Sequence, residues 1–146
     1  MTRGESLLVI DIGNTNTVLG IYTGPVLLKS WRIRTERHTT EDEFSVLAGG
    51  LFAGSGIDMS NIGKVVISSV VPPMVGILDS YCRKYLGIAP HWVNARSYAG
   101  MPILMSNPNE VGADRIVNAV GAYEKYHTAL IVIDFGTATT FDVISA

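Results

Sequence analysis

Two stretches of this chain carry one frame, and that repetition limits what the chain can fold into. Residues 7–17 read LLVIDIGNTNT and residues 129–140 read ALIVIDFGTATT. Each begins as an apolar run with the length and aliphatic content of a buried strand. Each then continues with aspartate, an apolar residue, glycine and a cluster of small hydroxyl or amide residues. The frame starts at Asp11 and again at Asp134, a separation far too long for a solenoid repeat. The two copies therefore read as equivalent strand–turn units facing one another.

The residue types in the frame point to phosphate. A glycine directly after a strand allows the backbone a positive φ and lets a ligand come close to the main chain. Thr15, Asn16 and Thr17 in the first copy, and Thr137, Thr139 and Thr140 in the second, offer hydroxyls, amides and backbone N–H groups that suit phosphate oxygens. An aspartate at each strand end repels phosphate on its own, so it implies a cation between them. The same residues also favour ordinary hairpin turns. It is the matched pair that argues for a grip on a metal-bound polyphosphate.

Composition removes several other classes. With 146 residues, 47% apolar and 16% charged, the chain has the balance of a globular domain with a real core. A formal net charge of −2 provides no broad basic face, so nucleic acid is not an expected partner. Cys82 is the only cysteine, which rules out an internal disulfide and a cysteine cluster for zinc. His38, His91 and His127 are too scattered in sequence to suggest a ligand set. No apolar run approaches the roughly 20 residues of a membrane span, and the N-terminus leads into a strand rather than a signal sequence. No membrane partner is expected, and the expected location is the cytoplasm.

Along the chain, residues 17–22 and 26–34 read as second and third strands of an antiparallel meander, joined by the turn residues Thr23, Gly24 and Pro25. Thr40 and Glu43 form a capping box ahead of a helix with Phe44, Leu47, Leu51 and Phe52 on its apolar face. Residues 64–71 read as a buried strand closed by Pro72 and Pro73, and 74–86 as a helix stopped by Gly87. On that helix Ile77, Leu78, Tyr81 and Tyr85 form the expected apolar face, and Cys82 reads as packing. A short strand over 88–93, broken by Pro90, precedes a long loop over 94–108. Residues 109–126 fit a helix with Ile116, Val117, Val120 and Tyr123 on one face, and 141–144 begin a further strand. The order βββαβαβα, followed by a second strand–turn–strand, suggests an α/β, ribonuclease-H-like domain. The expected division is a first domain over 1–128 and, over 129–146, the opening hairpin of a second domain whose remainder is absent. The chain is thus expected to be a fragment of a longer protein.

Four segments in this order resemble the N-terminal half of the type III pantothenate kinases, in the actin-like ATPase superfamily of acetate and sugar kinases, heat-shock chaperones and actin. They are DIGNTNT at 11–17, SSVVPP at 68–73, NPNEVGADRIVNA at 107–119 and DFGTATTFDV at 134–143. The resemblance implies ATP-dependent phosphorylation of pantothenate to phosphopantothenate, the first step of coenzyme A biosynthesis, by a homodimeric enzyme. It implies that Asp11, Ile12, Gly13, Asn14, Thr15, Asn16, Thr17 and Val18 form a phosphate-binding loop for ATP, with Asp11 near Mg2+, and that Thr137 contacts ATP. It further implies that Asp134 binds a monovalent cation, K+ or NH4+. Gly112, Ala113, Asp114 and Arg115 would bind pantothenate, with Asp114 as the catalytic base. Met105 stands where the family often has a tyrosine that touches pantothenate.

The residues around Asp114 support that role independently. Gly112 permits close approach, and Asp114 and Arg115 fall on the first turn of the expected helix, where exposed N–H groups and the helix dipole favour negative charge. An ionised Asp114 can take a proton from a substrate hydroxyl as its oxygen attacks phosphorus. Arg115 could hold a carboxylate or phosphate. Neither a P-loop nor a Rossmann glycine motif is present. A kinase and a catalytically inactive nucleotide-binding or regulatory module of the same fold both remain open from the sequence.

Overall fold

The computed structural model describes residues 4–97 and 100–145. Tyr98 and Ala99, in the expected 94–108 loop, lie outside the described residues, as do residues 1–3 and 146. Contacts divide the chain into two compact units, Met1–Trp92 and Val93–Ala146.

The first unit is built on a mixed sheet. Strands β1 (Ser6–Ile12), β2 (Asn16–Thr23) and β3 (Val26–Arg34) form the antiparallel meander, and β4 (Ile62–Ser69) and the short β5 (His91–Trp92) add in parallel. Spatial order is β3-β2-β1-β4-β5, so β1 lies at the centre, hydrogen-bonded on both edges. Alternation along β1 buries Leu8, Ile10 and Ile12 on one face. The Asp11 side chain stays exposed at the strand's end. Those three pack with Leu19, Ile21, Val65 and Ile67 beneath helices α1 (Glu41–Ala53) and α2 (Pro72–Tyr81). Burying apolar surface in this one layer supplies the main favourable free energy of the unit.

Helix α1 starts with the expected capping box. The Thr40 hydroxyl accepts from the Glu43 amide at 3.2 Å, while the Thr40 amide donates to the Glu43 carboxylate at 2.8 Å. Its buried residues are Phe44, Ala48 and Phe52, whereas Leu47 is 44% exposed. Phe52 packs against Trp31 with ring centroids 5.2 Å apart, and Phe44 meets Tyr81 of α2 edge-on at 4.9 Å. Asp42 links the helices further, accepting from Lys84 at 2.6 Å and from the Tyr85 hydroxyl at 2.5 Å. Tyr85 is therefore on the exposed side, and Met74, Leu78 and Tyr81 form the buried face of α2.

Several element boundaries differ from expectation: β4 covers Ile62–Ser69 rather than 64–71, and α3 starts at Ala113 rather than at residue 109. Helix α2 begins at Pro72 rather than residue 74, because proline lacks only an amide that the first helical turn leaves unpaired anyway. Beyond Tyr81 it widens into a π-turn, Cys82–Leu86, and stops at Gly87, whose φ of 68° is left-handed. The expected 88–93 strand shrinks to His91–Trp92, pairing with Val66 and Ile67.

The second unit holds a 3-10 turn, Pro108–Glu110, then helix α3 (Ala113–Tyr126) and the hairpin β6 (Leu130–Phe135) and β7 (Thr139–Ile144). Helix α3 packs on this hairpin within the compact unit that starts at residue 93. One face of the hairpin, carrying Ile131, Ile133, Phe135, Phe141 and Val143, is exposed. The alternate residues Asp134, Thr140, Asp142 and Ile144 are more buried. Among the described residues, no helix is long and apolar enough to cross a membrane.

Burial of Cys82 is open to a direct check. Its thiol is fully buried, and burial, with Asp79 nearby, pushes its pKa up to about 12. At pH 8 a thiol-specific chromogenic reagent should leave Cys82 unmodified in the folded protein and label it on unfolding in denaturant. Fast labelling without denaturant would contradict this packing.

Candidate functional site

The first strand–turn unit is braced from beneath by a third segment. Gly13 donates its amide to the Asn16 carbonyl at 2.9 Å, closing the turn between β1 and β2. Thr35, just beyond β3, then ties the turn down: its amide donates to the Thr15 carbonyl at 2.9 Å and its hydroxyl to the Gly13 carbonyl at 2.7 Å. The same hydroxyl lies 2.9 Å from that of Thr17, inside the protein. The Ile12 carbonyl accepts from the Val70 amide at 3.1 Å, so the β4 end also holds the turn.

This geometry sorts the residues of the loop. Asp11, Asn14, Thr15 and Asn16 are exposed, while Ile12 and Thr17 are buried and Val18 is half-buried. Gly13 does not take the positive φ expected of it. Its need is for space: a Cβ there would stand 3.2 Å from the Asn16 carbonyl oxygen, tighter than side chains normally allow. Arg37 donates to the Asn14 side chain at 2.8 Å, bringing a guanidinium to the loop.

The second copy of the frame is also a hairpin turn, one residue shorter. Asp134 stands opposite Thr140, whereas Asp11 stands opposite Val18, one position further round the frame. The Gly136 amide donates to the Ala138 carbonyl at 3.1 Å. Gly136 also lacks a positive φ. A Cβ on Gly136 would stand 3.5 Å from the Ala138 carbonyl oxygen and 4.0 Å from Asp134 Oδ1, so the glycine leaves a space bordered by two oxygen atoms. Thr137 is exposed at the tip.

Helix α3 supplies one partner to each acidic residue on the inner face of that hairpin. Asn118 donates to Asp134 Oδ2 at 3.2 Å, and Arg115 Nε donates to Asp142 Oδ1 at 2.7 Å, with Nη2 on the same oxygen. Arg115 and Asn118 are three residues apart and share one helix face. The carboxylate beside it holds the Arg115 guanidinium even more firmly protonated than usual. The helix begins at Gly112 without a side-chain cap, and Asp114 in its first turn is half-buried, accepting from the Arg115 amide at 2.8 Å. A negative side chain there is favoured by the helix dipole.

Between α3, the 101–105 segment and β7 lies a cavity of about 360 Å³. Its wall includes Met105, Val111, Arg115, Ile116, Val120, Tyr123, Asp142 and Ile144. The wall is mostly apolar, with the Arg115–Asp142 pair, Tyr123 and Ser145 among its polar groups, the composition usual for small-molecule sites. Gly112, Ala113 and Asp114 adjoin Arg115 in sequence, and Ala113 is buried. Sequence reasoning did not single out Thr35, Arg37, Asn118 or Asp142. For Asp142 a signal was present, an acidic residue at the inward position of an alternating strand.

A family model described as type III pantothenate kinase matches residues 7–146. A protein of that name from Desulfatibacillum aliphaticivorans is 65% identical over 139 residues, covering 95% of this chain and 54% of the relative. Another of that name, from Desulfosudis oleivorans, is 60% identical over 140 residues, covering 96% of this chain and 55% of the relative. The chain thus spans about half the length of the curated relatives it matches. Among solved structures, a reductive activator for a corrinoid, iron-sulfur protein superposes with a TM-score of 0.65 at 14% identity, over 99% of this chain and 30% of that one. A ROK hexokinase from Thermus thermophilus gives 0.51 at 12% identity, over 96% and 47%. At such identities the likeness concerns the fold alone, the ribonuclease-H-like, actin-like ATPase fold that the order of elements and the family resemblance led to expect.

The brace under the first loop is tested by Thr35→Val, which keeps the shape and deletes the hydroxyl. The Thr17 hydroxyl then loses its buried partner, and stability measured by denaturant unfolding should fall by about 1–3 kcal/mol. Amide exchange at residues 13–16 should quicken as well. Unchanged stability and exchange would show that Thr35 does not hold the loop.

Proposed function

Because the chain belongs to the type III pantothenate kinase family, we propose that the protein transfers the γ-phosphoryl group of ATP to the hydroxyl of pantothenate. The product, phosphopantothenate, opens coenzyme A biosynthesis. The observation that carries this reading is the start of α3, where Asp114 lies on the first helical turn immediately before Arg115, a residue of the cavity wall. In this reading Asp114 takes the proton from the acceptor hydroxyl as the oxygen attacks, and Gly112, Ala113 and Arg115 bind the acceptor. The apolar wall, Met105 included, covers the acceptor's aliphatic part and keeps water from competing for the phosphoryl group.

The first loop is assigned to the ATP phosphates. Gly13 allows the tight turn, the exposed Asn14, Thr15 and Asn16 offer donors, and Ile12, Thr17 and Val18 seat the loop in the sheet. Thr137 is assigned to ATP from the second loop. A single exposed carboxylate at Asp11 fits Mg2+, which usually binds one or two carboxylates and completes its shell with water and phosphate oxygens. The space beside Gly136, bordered by Asp134 Oδ1 and the Ala138 carbonyl, has the oxygen donors and single negative charge that suit K+ or NH4+. Bound cations supply charge neutralisation on the phosphates.

The same reading places the protein in the cytoplasm as a homodimer. It takes 1–128 as a first actin-like domain and 129–146 as the opening hairpin of a second. The exposed apolar face of β6 and β7 supports that last assignment, since such a face is normally covered.

The test is phosphate transfer by the full-length protein. With pantothenate present, ATP-dependent formation of phosphopantothenate is expected, and Asp114→Asn should lower kcat by about 10²- to 10⁴-fold while leaving ATP affinity nearly unchanged. A variant that retained full activity would remove Asp114 from the mechanism.

A further inference from the structure

The Arg115–Asp142 pair is unusual in three respects. It joins two elements, the first turn of α3 and strand β7, and both members line the cavity. It is lopsided: Arg115 Nε and Nη2 both converge on Asp142 Oδ1, while Oδ2 is buried with no hydrogen-bond partner among the described residues. It also sets a cation where a helix disfavours one, because the dipole and free amides make a helix N-terminus electropositive. Without a carboxylate opposite, the guanidinium would be pushed away from the helix start. Its long side chain also has many alternative rotamers to move into.

A pair made only for stability is expected to satisfy both carboxylate oxygens, since an unpartnered buried oxygen forfeits much of what the pair gains. Here one edge of the guanidinium is fixed by Asp142, and its remaining N–H donors are left over in a mostly apolar cavity wall. That is the arrangement of a side chain held ready for a ligand.

We propose that Asp142 is a positioning residue of the acceptor site, fixing the Arg115 guanidinium against the cavity so that its free N–H donors meet the polar end of the acceptor. This rests on the pantothenate reading only for the identity of that acceptor. Asp142 acts through Arg115, and the consequence is selective: it governs acceptor binding and leaves ATP binding alone.

The test uses the full-length protein and two independent readouts. In steady-state kinetics, Asp142→Asn keeps the side-chain shape and removes the charge. It should raise KM for pantothenate by about ten-fold or more while KM for ATP stays within about two-fold. In an Arg115→Ala background the same change should add almost nothing, because the two residues act as one unit. If both KM values rise together, or the two substitutions multiply independently, Asp142 has a general structural role and the proposal is wrong. The second readout is the Nε–H resonance of Arg115 in the unsubstituted protein, assigned by its loss in Arg115→Lys. Slow exchange with solvent is expected, and exchange as fast as that of free arginine would overturn the proposal whatever the variants do. Protected Nε–H in a protein that does not phosphorylate pantothenate would uphold the positioning and reject the acceptor's identity.

Discussion

The first unit depends on the central place of β1, paired with β2 on one edge and β4 on the other. Such a strand can pair its backbone polar groups with neighbours on both edges, and alternation drives Leu8, Ile10 and Ile12 into the core. The strand's end is therefore fixed in space, and so is whatever follows it. Gly13, Thr15 and Thr17 are then bound through Thr35, which enters from β3, and Ile12 through Val70, which follows β4. The turn is a rigid one, held by the strands on both sides. For the polyphosphate role proposed for this loop, such rigidity would be an advantage, because little ordering is left to occur on binding.

The second unit meets the same requirement differently. Its two strands have no partners beyond each other among the described residues, and helix α3 does the bracing. Arg115 and Asn118, on one face of the helix, reach Asp142 and Asp134, on one face of the hairpin. One contact sits at the cavity and the other at the turn. The helix thereby fixes the carboxylate assigned to the cation and the guanidinium assigned to the acceptor, and its own first turn carries Asp114.

Much of this could be read from the residues before any coordinates. The meander, the Thr40–Glu43 capping box and the Gly87 stop all follow from local rules, and all are present; Asp114 lies on the first turn of α3, which begins at Ala113 rather than at residue 109. What escaped was of two kinds. Pro72 and Pro73 look the same closing a strand or opening a helix, and the π-turn at Cys82 has no local signature. The other kind was pairing across distance. Nothing near Thr17 announces Thr35, and nothing near Arg115 announces Asp142, because both pairs join segments far apart in sequence that the fold brings together. Gly13 was expected to allow a positive φ, which it does not take; the structural constraint on it is the nearby Asn16 carbonyl.

Chemistry and fold meet in one distance, that between the Asp114 carboxylate and the acceptor's hydroxyl. A crystal structure of the full-length protein with pantothenate and a non-hydrolysable ATP analogue measures it directly. The account predicts a separation of about 2.6–3.2 Å, hydrogen-bonding reach for a general base, with pantothenate lying along the cavity beside Arg115. Pantothenate bound elsewhere, or bound there with its hydroxyl directed away from Asp114, would contradict it.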